Sequence, residues 1–505
     1  MPLTAKILDP RVAPRAQVRL HSAPQTPSLS LANLVWLTGT PAQMSTGVKR
    51  SIKPLAGDEP EDVLFNSSYG LRTIELNRPK KLNSLNASMI RKIAPRLVEW
   101  EKSDLANVVV MKGAGDRALC AGGDVKALSD LNKTGEEGSK ESTDYFALEY
   151  KLDHYIATYR KPYIAFMDGI TMGGGVGLSI HAPFRIATER TVFAMPETTI
   201  GFFPDVGASF FLPRMPGAVG TYLALTSERL TGANVFYSGV ATHYLHSTSL
   251  PKLESRLAEL RFRDFDDMKK RLEIIEMTIE EYATGLPPLD REPILIAGEL
   301  RNAIDRCFNQ PTVNGIIEAL QNETGATKEW ADKTLATLQK RSPTAVHVAH
   351  KQMQVAREWS IMETFRKEHQ IAAHFMRHPD FVEGVDKQLS KERQTPQWKP
   401  ASLQDIQPGD NVADPFFEAG ADAQPLKLLV DRNYHAYPHS YVGVPSELDV
   451  RDAVLKATRS RKQIVEDFVQ KKKGRQGIKT IVEEVLARKT YETADGVAVW
   501  IDESA

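Results

Sequence analysis

The chain of 505 residues has little of what small secreted or membrane-spanning proteins depend on. Its two cysteines, Cys120 and Cys307, exclude a disulfide framework and a four-cysteine zinc site. No apolar run reaches ~18 residues, so no membrane-spanning helix is predicted. The sequence also lacks a G-x-G-x-x-G turn, a P-loop, a G-x-S-x-G elbow and an H-E-x-x-H pair. The common nucleotide, serine-hydrolase and zinc-protease sites are therefore not expected.

Acidic and basic residues balance, with 64 of each, which argues against a protein that coats nucleic acid over its whole surface. The balance hides an uneven distribution, because residues 1–57 carry +6, residues 451–490 carry +7, and the remaining chain carries −13. At roughly 150 residues per domain, the length predicts two to four domains. We predict a leader at 1–57, an α/β core at 58–250, a helical region at 251–400, and a linker with a basic helical extension at 401–505.

Residues 1–57 have the composition of an import peptide. Seven basic residues are interspersed with ten Ser or Thr, and Asp9 is the single acid. Such a segment responds to a membrane potential that is negative inside, so import into the mitochondrial matrix is expected. A plain disordered tail is the alternative, because Pro10 and Pro14 weaken an amphipathic helix there.

Strand and helix patterns alternate along the first half of the body. Leu71–Leu76 alternates in polarity, as a half-buried strand does, and Tyr163–Met167 predicts a second strand. This alternation is typical of α/β domains. From about Pro251 the pattern becomes helical and charged, which predicts a helical region after the core.

Two glycine-rich segments each lie between a predicted strand and a predicted helix. They are Leu119-Cys-Ala-Gly-Gly-Asp124 and Gly169-Ile-Thr-Met-Gly-Gly-Gly-Val-Gly177. Small residues let backbone N–H groups approach a ligand, and two such turns can aim two donors at one oxygen, as an oxyanion hole does. Tight packing turns are the alternative, and spacing alone does not separate the two interpretations.

Glu197 and Asp205 stand eight residues apart in Gly- and Pro-rich loops crowded by phenylalanines. Burial among such neighbours raises the pKa of a carboxyl group, so that it can act as an acid or base near neutrality. Acids that merely cap the loops are the alternative. Cys120 adjoins the first glycine turn without a paired base, so we interpret it as a packing residue rather than a nucleophile.

In this order, the segments resemble the crotonase superfamily and, within it, the 3-hydroxyisobutyryl-CoA hydrolase family. The resemblance covers about residues 61–400. Its motifs are Cys120-Ala-Gly-Gly-Asp124, Gly169 to Gly177, Ala194-Met-Pro-Glu-Thr198, Phe203-Pro-Asp-Val-Gly207, Ser342-Pro-Thr344, Asp380-Phe381 through Glu383-Gly-Val385, and Trp398-Lys-Pro400. It implies an α/β fold in which ββα units wind into a ClpP-like spiral, followed by a C-terminal helical region. It also implies an acyl-CoA thioester as substrate.

The resemblance also carries over to single residues. It implies that the N–H groups of Ala121 and Gly174 hold the thioester oxygen and that Glu197 is catalytic. Asp205 would hold a substrate hydroxyl or assist the leaving thiolate, and Glu149 would line the acyl pocket. Further substrate contacts are expected from Gly122, Gly123, Asp124, Lys126 and Lys351. The two lysines are interpreted either as partners of CoA phosphates or as solvated surface charges.

One position separates this sequence from the similar enoyl-CoA hydratases, which carry a second catalytic glutamate where this chain has Gly177. Hydration needs two carboxylates that hold one water, so hydration is disfavoured. The expected reaction is hydrolysis of 3-hydroxyisobutyryl-CoA in valine degradation. Glu197 would act as general base or as the nucleophile that forms a transient anhydride. No metal ion or redox cofactor is expected.

The basic extension at 401–505 lies beyond the hydrolase resemblance. Its apolar stripes at 464–469 and 478–486 flank the basic run 471–475 and predict a pair of amphipathic helices. Such helices can bind a partner while neutralising RNA phosphates, or they can dock on the protein's own core. Some fungal members of the family resemble constituents of the mitochondrial small ribosomal subunit. A structural role there, with rRNA and protein partners, is the alternative function, and a homo-oligomer is expected away from the ribosome.

Overall fold

The structure is a computed structural model, and it describes residues 52–390, 392, 394–407, 409–418 and 424–501. The leader predicted at 1–57 lies almost wholly outside the described residues. Of its last residues, Ile52 is buried in the main hydrophobic core. The packed body therefore begins before the predicted boundary at residue 58.

Strands form two larger sheets and one hairpin-like pair. In chain order, the strands are β1 (Val63–Ser68), β2 (Leu71–Leu76), β3 (Val108–Gly113), β4 (Ala118–Cys120), β5 (Tyr163–Met167), β6 (Ile170–Met172), β7 (Phe184–Ala187), β8 (Val192–Ala194), β9 (Leu230–Thr231), β10 (His243–Tyr244), β11 (Thr490–Glu492) and β12 (Ala498–Trp500). The large sheet has the order β1-β2-β3-β5-β7-β10, the small sheet has the order β4-β6-β8-β9, and β11 pairs with β12.

Helices fill the remainder of the chain. In chain order, they are α1 (Ala87–Lys102), α2 (Val125–Asn132), α3 (Glu136–Ala157), α4 (Gly174–Gly177), α5 (Ala208–Phe211), α6 (Val219–Thr226), α7 (Ala233–Tyr237), α8 (Leu250–Ala258), α9 (Met268–Glu280), α10 (Gly298–Phe308), α11 (Val313–Asn322), α12 (Lys328–Leu338), α13 (Pro343–Val355), α14 (Ile361–Phe375), α15 (Pro379–Leu389), α16 (Asp414–Phe417), α17 (Glu447–Lys456), α18 (Arg461–Lys471) and α19 (Ile478–Lys489). Among the described residues, none of these helices combines the length and apolarity that crossing a bilayer requires.

The core repeats one unit of two strands and a helical turn. Each repeat gives its first strand to the large sheet and its second to the small sheet: β3 and β4, then β5 and β6, then β7 and β8. The pairs β3–β5–β7 and β4–β6–β8 are parallel, so successive repeats advance in one direction. This is the spiral of ββα units that the sequence motifs predicted.

Both faces of the large sheet are covered, which corrects the expectation of a half-buried strand at Leu71–Leu76. On β3, Val109 faces the main core, whereas Val110 faces a second apolar cluster formed with α8 and α9. Thr73 of β2 is buried and donates to Glu254 of α8 across 3.0 Å. Thr73, a polar position of the alternating strand, is thus buried by a helical layer that lies far along the chain.

The helical region after the core brings α14 against α3. The aromatic ring of Phe365 on α14 lies within ring-contact distance of Tyr150 and His154 on α3. Ser360 and Glu363 form a capping box that fixes the start of α14. This packing carries one further buried acid, Glu368, toward the loops that follow β8.

The extension folds back on the body instead of standing apart. Helices α17, α18 and α19 share an apolar cluster that contains Ile464, Phe468, Ile478 and Val482. The two predicted stripes face this cluster, so the helix pair is amphipathic as expected. Phe416 of α16 belongs to the main core of the body.

Arg475 of the extension makes buried hydrogen bonds and an ion pair with the body. Its guanidinium is almost fully buried and donates to the backbone oxygens of Thr242 and Val442, and to the carboxylate of Glu276 at 3.0 Å. Gln476, the next residue, donates to the Tyr244 carbonyl at 2.6 Å. The middle of the basic run is therefore partly used inside the protein.

Replacing Arg475 with alanine should destabilise the protein and loosen the extension. Removing the guanidinium leaves the carbonyl oxygens of Thr242 and Val442 and the partly buried carboxylate of Glu276 without this donor, and a buried acceptor left unpaired typically costs ~1–3 kcal/mol. We expect a lower free energy of unfolding in urea and faster proteolytic cleavage within 440–490. Lys462→Ala, on the exposed face of α18, is the control and should leave both measurements near wild type. Equal behaviour of the two variants would contradict this role of Arg475.

Candidate active site

The two glycine-rich turns meet at one edge of the small sheet. Strands β4 and β6 pair in parallel, so the turns that follow them emerge side by side. A Cβ atom on Gly173 would lie 3.4 Å from the Cα of Gly122, and one on Gly174 would lie 3.4 Å from the nitrogen of Gly123. A Cβ on Gly175 would come within 2.2 Å of the Cys120 carbonyl oxygen. The close approach of the two backbones therefore requires glycine.

The hydrogen bonds of these turns correct one predicted donor. The Ala121 N–H already donates to the Leu82 carbonyl at 3.0 Å, so it cannot also serve a ligand. Among the hydrogen bonds of the described residues, neither the Gly123 nor the Gly174 N–H has an acceptor. The prediction for Ala121 is thus wrong, and the two amides free to point at a ligand belong to Gly123 and Gly174.

Glu149 and Glu197 flank this amide pair. Glu149 lies on α3, and its Oε1 would be 2.6 Å from a Cβ on Gly174. Glu197 begins a short 3₁₀ helix, and its Oε1 would be 3.3 Å from a Cβ on Gly173. Both side chains are buried, and Oε2 of Glu197 has no hydrogen-bond partner among the described residues. An unpartnered buried carboxyl oxygen beside two free amides is the arrangement that acyl transfer needs.

Asp205 completes the predicted acids. It is buried on the loop before α5 and accepts a hydrogen bond of 2.6 Å from the Tyr150 hydroxyl. Burial raises its pKa to about 7, and the bond from Tyr150 opposes that rise. Burial and the nearby charge of Asp205 also raise the pKa values of Glu149 and Glu197 well above their ordinary range. Asp205 can therefore exchange protons near neutral pH, and the raised pKa values of Glu149 and Glu197 make the two glutamates candidates for acid–base chemistry.

Two further acids share this interior and were missed in the sequence. Asp153 follows Glu149 by one helical turn on α3, and its Oδ2 would be 2.7 Å from a Cβ on Gly177. Neither Asp153 oxygen has a partner among the described residues, and burial, followed by the charge of Glu149, raises its pKa well above the ordinary value. The i, i+4 spacing after Glu149 was the available signal.

Glu368 of α14 is the other missed acid. It accepts hydrogen bonds from the N–H groups of Gly207 at 2.7 Å and Ser209 at 2.9 Å. Burial, followed by the charge of Asp205, raises its pKa to about 8. No local pattern connects residue 368 with the loop at 205–209, because only the packing of α14 brings them together.

The remaining predicted substrate contacts, at Asp124, Lys126 and Lys351, each pair with a side chain of the protein. Asp124 pairs with Arg78 at 3.0 Å and with Lys81 at 3.2 Å, so its carboxylate has protein partners. Lys126 is exposed on the first turn of α2 and pairs with Asp130. Lys351 pairs with Asp414 of the extension and lies 5.1 Å from the ring centre of Phe417. Contact of the two lysines with CoA phosphates stays a prediction.

Cys120 fits the interpretation as a packing residue. Its side chain is fully buried, and burial raises the pKa of its thiol to about 12. The thiol therefore keeps its proton at neutral pH and donates to the Gly122 carbonyl at 3.4 Å. A thiol in that state is a poor nucleophile.

Asp153→Asn should stabilise the protein increasingly as the pH rises above the ordinary aspartate value of 3.8, until the carboxyl group ionises in the folded state as well. The folded state holds the Asp153 proton, because its pKa is raised, whereas the unfolded state releases it above the ordinary value of 3.8. Wild type therefore loses up to about 1.4 kcal/mol per pH unit from this group in that window. Urea unfolding at several pH values measures the difference. Asp144→Asn, exposed on the same helix, is the control, and a pH-independent difference for Asp153→Asn would contradict the assignment.

Comparison with known proteins places residues 71–417 in the family described as Enoyl-CoA hydratase/isomerase. The small ribosomal subunit protein mS47 of Neurospora crassa is 56% identical over 89% of this chain and 90% of that protein. The mitochondrial 3-hydroxyisobutyryl-CoA hydrolase of Gallus gallus is 40% identical over 72% of this chain and 90% of that protein. A carnitinyl-CoA dehydratase from Mycobacterium thermoresistibile has a similar structure, with a TM-score of 0.62, 34% identity, and coverage of 73% of this chain and 98% of the other. This chain belongs to the enoyl-CoA hydratase/isomerase family.

Proposed function

We propose that the protein hydrolyses an acyl-CoA thioester, 3-hydroxyisobutyryl-CoA, in the mitochondrial matrix. The observation that carries the proposal is the position of Glu197. Its carboxyl group is buried, has an unpartnered oxygen, and adjoins the free amides of Gly123 and Gly174. The relative from Gallus gallus that bears the name of a mitochondrial hydrolase for this substrate supports the same choice.

In this mechanism, the thioester oxygen accepts hydrogen bonds from the Gly123 and Gly174 amides. The amides stabilise the negative charge that develops when water attacks the carbonyl carbon, and losing one such donor typically costs ~3–4 kcal/mol. Glu197, in its deprotonated form, takes the proton of the water. The carbon–sulfur bond then breaks, and CoA leaves as a thiol after protonation. Direct attack by Glu197, which gives an anhydride that water cleaves, uses the same positions.

Asp205 and Glu149 would set the choice of substrate. Asp205 keeps one carboxyl oxygen free of Tyr150, and that oxygen would accept the 3-hydroxyl hydrogen of the acyl group. An analogue without the hydroxyl would leave a buried acid unpaired, which gives selectivity. Glu149, which lies beside the amide pair, would line the acyl pocket.

The same geometry argues against hydration as the main reaction. Gly177 offers no carboxylate, and Asp153, whose carboxyl lies beside it, is buried with a raised pKa. Hydration needs two carboxylates that hold one water, and Gly177 supplies none at the position of the second carboxylate. Hydrolysis needs only one base together with the amide pair.

Glu197→Gln should lower thioester hydrolysis by about 10²- to 10⁴-fold, because it keeps the size of the side chain and removes the base. The measurement is thiol release from 3-hydroxyisobutyryl-CoA by purified full-length protein. Glu329→Gln, on the exposed surface of α12, is the matched control and should retain wild-type turnover. Near wild-type turnover of Glu197→Gln would remove Glu197 from the mechanism. A wild-type protein without turnover would remove the hydrolase proposal itself.

A second function, as a constituent of the mitochondrial small ribosomal subunit, is favoured by one observation. The similarity to mS47 of Neurospora crassa spans 89% of the chain, whereas the family match ends at residue 417. Part of the extension is therefore shared with that ribosomal relative. The outer faces of α18 and α19 present exposed lysines, including Lys462, Lys471 and Lys479, which suit RNA phosphates. The two functions are compatible, since the acids and the lysines lie on different elements.

On a sucrose gradient of mitochondrial lysate, we expect the protein to migrate with the small ribosomal subunit. Changing Lys462, Lys471 and Lys479 together to glutamate should shift the protein toward the top of the gradient, because phosphate contacts become repulsive. The matched control changes Lys140, Lys252 and Lys333 together to glutamate. These three lysines are exposed on helices of the body. A wild-type protein that stays at the top would overturn the ribosomal function. If both triple variants migrate with the subunit equally, these lysines of the extension do not contact the subunit.

A further inference from the structure

The loop that carries Asp205 includes a backbone conformation that Val206 does not prefer. Val206 has a φ of +54°, and Gly207 follows with a φ of +88°. A β-branched residue at positive φ is a steric outlier, and it persists only where surrounding contacts hold it. The position of Asp205 therefore depends on the groups that hold the next two residues.

Two side chains hold this loop from opposite sides. Glu368 accepts hydrogen bonds from the amides of Gly207 and Ser209, as described above. On the other side, His181 places Nε2 3.3 Å from the Val206 carbonyl oxygen. A Cβ atom on Gly207 would come within 2.1 Å of the same nitrogen, so the imidazole lies directly against the loop. His181 is thus the direct contact of the strained carbonyl group.

The extension supplies the partner that orients His181. The hydroxyl of Tyr437 lies 2.9 Å from His181 Nδ1. A carbonyl oxygen only accepts, so Nε2 must carry the hydrogen that is donated to Val206. Burial lowers the pKa of His181 to about 3, which keeps the imidazole neutral. Nδ1 is then an acceptor, and the Tyr437 hydroxyl donates to it.

Tyr437 is itself fixed in place by the body. Its ring meets Phe210 edge-on, with ring centres 4.9 Å apart, and Tyr434 packs on the same phenylalanine. The backbone at Tyr434 is also anchored, because the Ile361 amide donates to the Tyr434 carbonyl at 2.9 Å. A continuous chain of contacts therefore runs from the start of α14 through the extension to the Asp205 loop.

We propose that Tyr437 of the extension is a positioning residue for Asp205. Tyr437 acts through His181 and the Val206 carbonyl. The inference rests on the proposed function, because Asp205 is the acid that would contact the 3-hydroxyl of the substrate. The extension thus completes the hydroxyl-recognising side of the site and sets the selectivity of the hydrolase. Hydrolysis of a thioester without the hydroxyl does not depend on this contact.

Tyr437→Phe tests the proposal, because it removes the hydroxyl and keeps the ring. We expect kcat/KM for 3-hydroxyisobutyryl-CoA to fall by about tenfold, the effect of one lost hydrogen bond. For isobutyryl-CoA, which lacks the hydroxyl, kcat/KM should change by less than about twofold. Tyr434→Phe is the matched control, since the Tyr434 hydroxyl has no hydrogen-bond partner among the described residues. Equal losses on both substrates, or no loss on either, would overturn the proposal.

A double variant separates positioning from general destabilisation. In an Asp205→Asn background, Tyr437→Phe should not lower the preference for the hydroxylated substrate further, because the two residues act in one chain. Additive losses would contradict the inference.

Hydrogen exchange tests the same contact without any substrate. The Gly207 and Ser209 amides should exchange about tenfold faster in Tyr437→Phe than in Tyr434→Phe. If wild type hydrolyses no thioester, the proposed function fails, and this measurement still decides whether Tyr437 holds the loop. Equal exchange in the two variants would show that it does not.

Discussion

The site depends on the contact between two backbone turns that leave no room for side chains. Parallel pairing of β4 with β6 brings the turns to one edge, and glycine at 175, where a Cβ would lie 2.2 Å from the Cys120 carbonyl oxygen, lets the two backbones approach closely. The approach leaves two amide groups without acceptors among the described residues. The acids contributed by α3, the 3₁₀ helix at Glu197–Ile200 and the following loop are arranged around this pair. A side chain at position 175 would push the two turns apart and displace these groups.

The acids around the turns form one electrostatic unit. Five buried carboxyl groups share the interior, and the charges of Asp205, Glu149 and Glu368 raise the pKa of other members in addition to the effect of burial. They are Glu149, Asp153, Glu197, Asp205 and Glu368. They cannot all be ionised together, because like charges at short range in a low-dielectric interior repel strongly. The charge of the site is therefore a property of the group, and a change in proton binding at one acid changes proton binding at the others.

Local sequence patterns predicted many of the strands and helices and the glycine turns, the family resemblance supplied further site residues such as Glu149, and both failed where distant segments decide the outcome. The strands, the glycine turns, and Glu197 and Asp205 in their loops follow from short patterns. The choice between the Ala121 and Gly123 amides depends on the hydrogen bond that the Ala121 N–H donates to the Leu82 carbonyl oxygen, which no motif encodes. The burial of Thr73 needs α8, and the role of Glu368 needs the packing of α14 on α3. These contacts arise from tertiary packing, which local patterns do not contain.

The burial of Arg475 changes how the positive charge of the extension should be counted. Arg475 and Arg488 are held in ion pairs with Glu276, Glu447 and Glu484 inside the protein, so they are not available to a polyanion. Each phosphate that a protein neutralises releases about 0.9 counterions, and affinity falls with ionic strength in proportion. The extension should therefore release fewer counterions from RNA than the formal charge of residues 451–490 suggests. Binding by this surface would tolerate physiological ionic strength better than a flexible basic tail of the same composition.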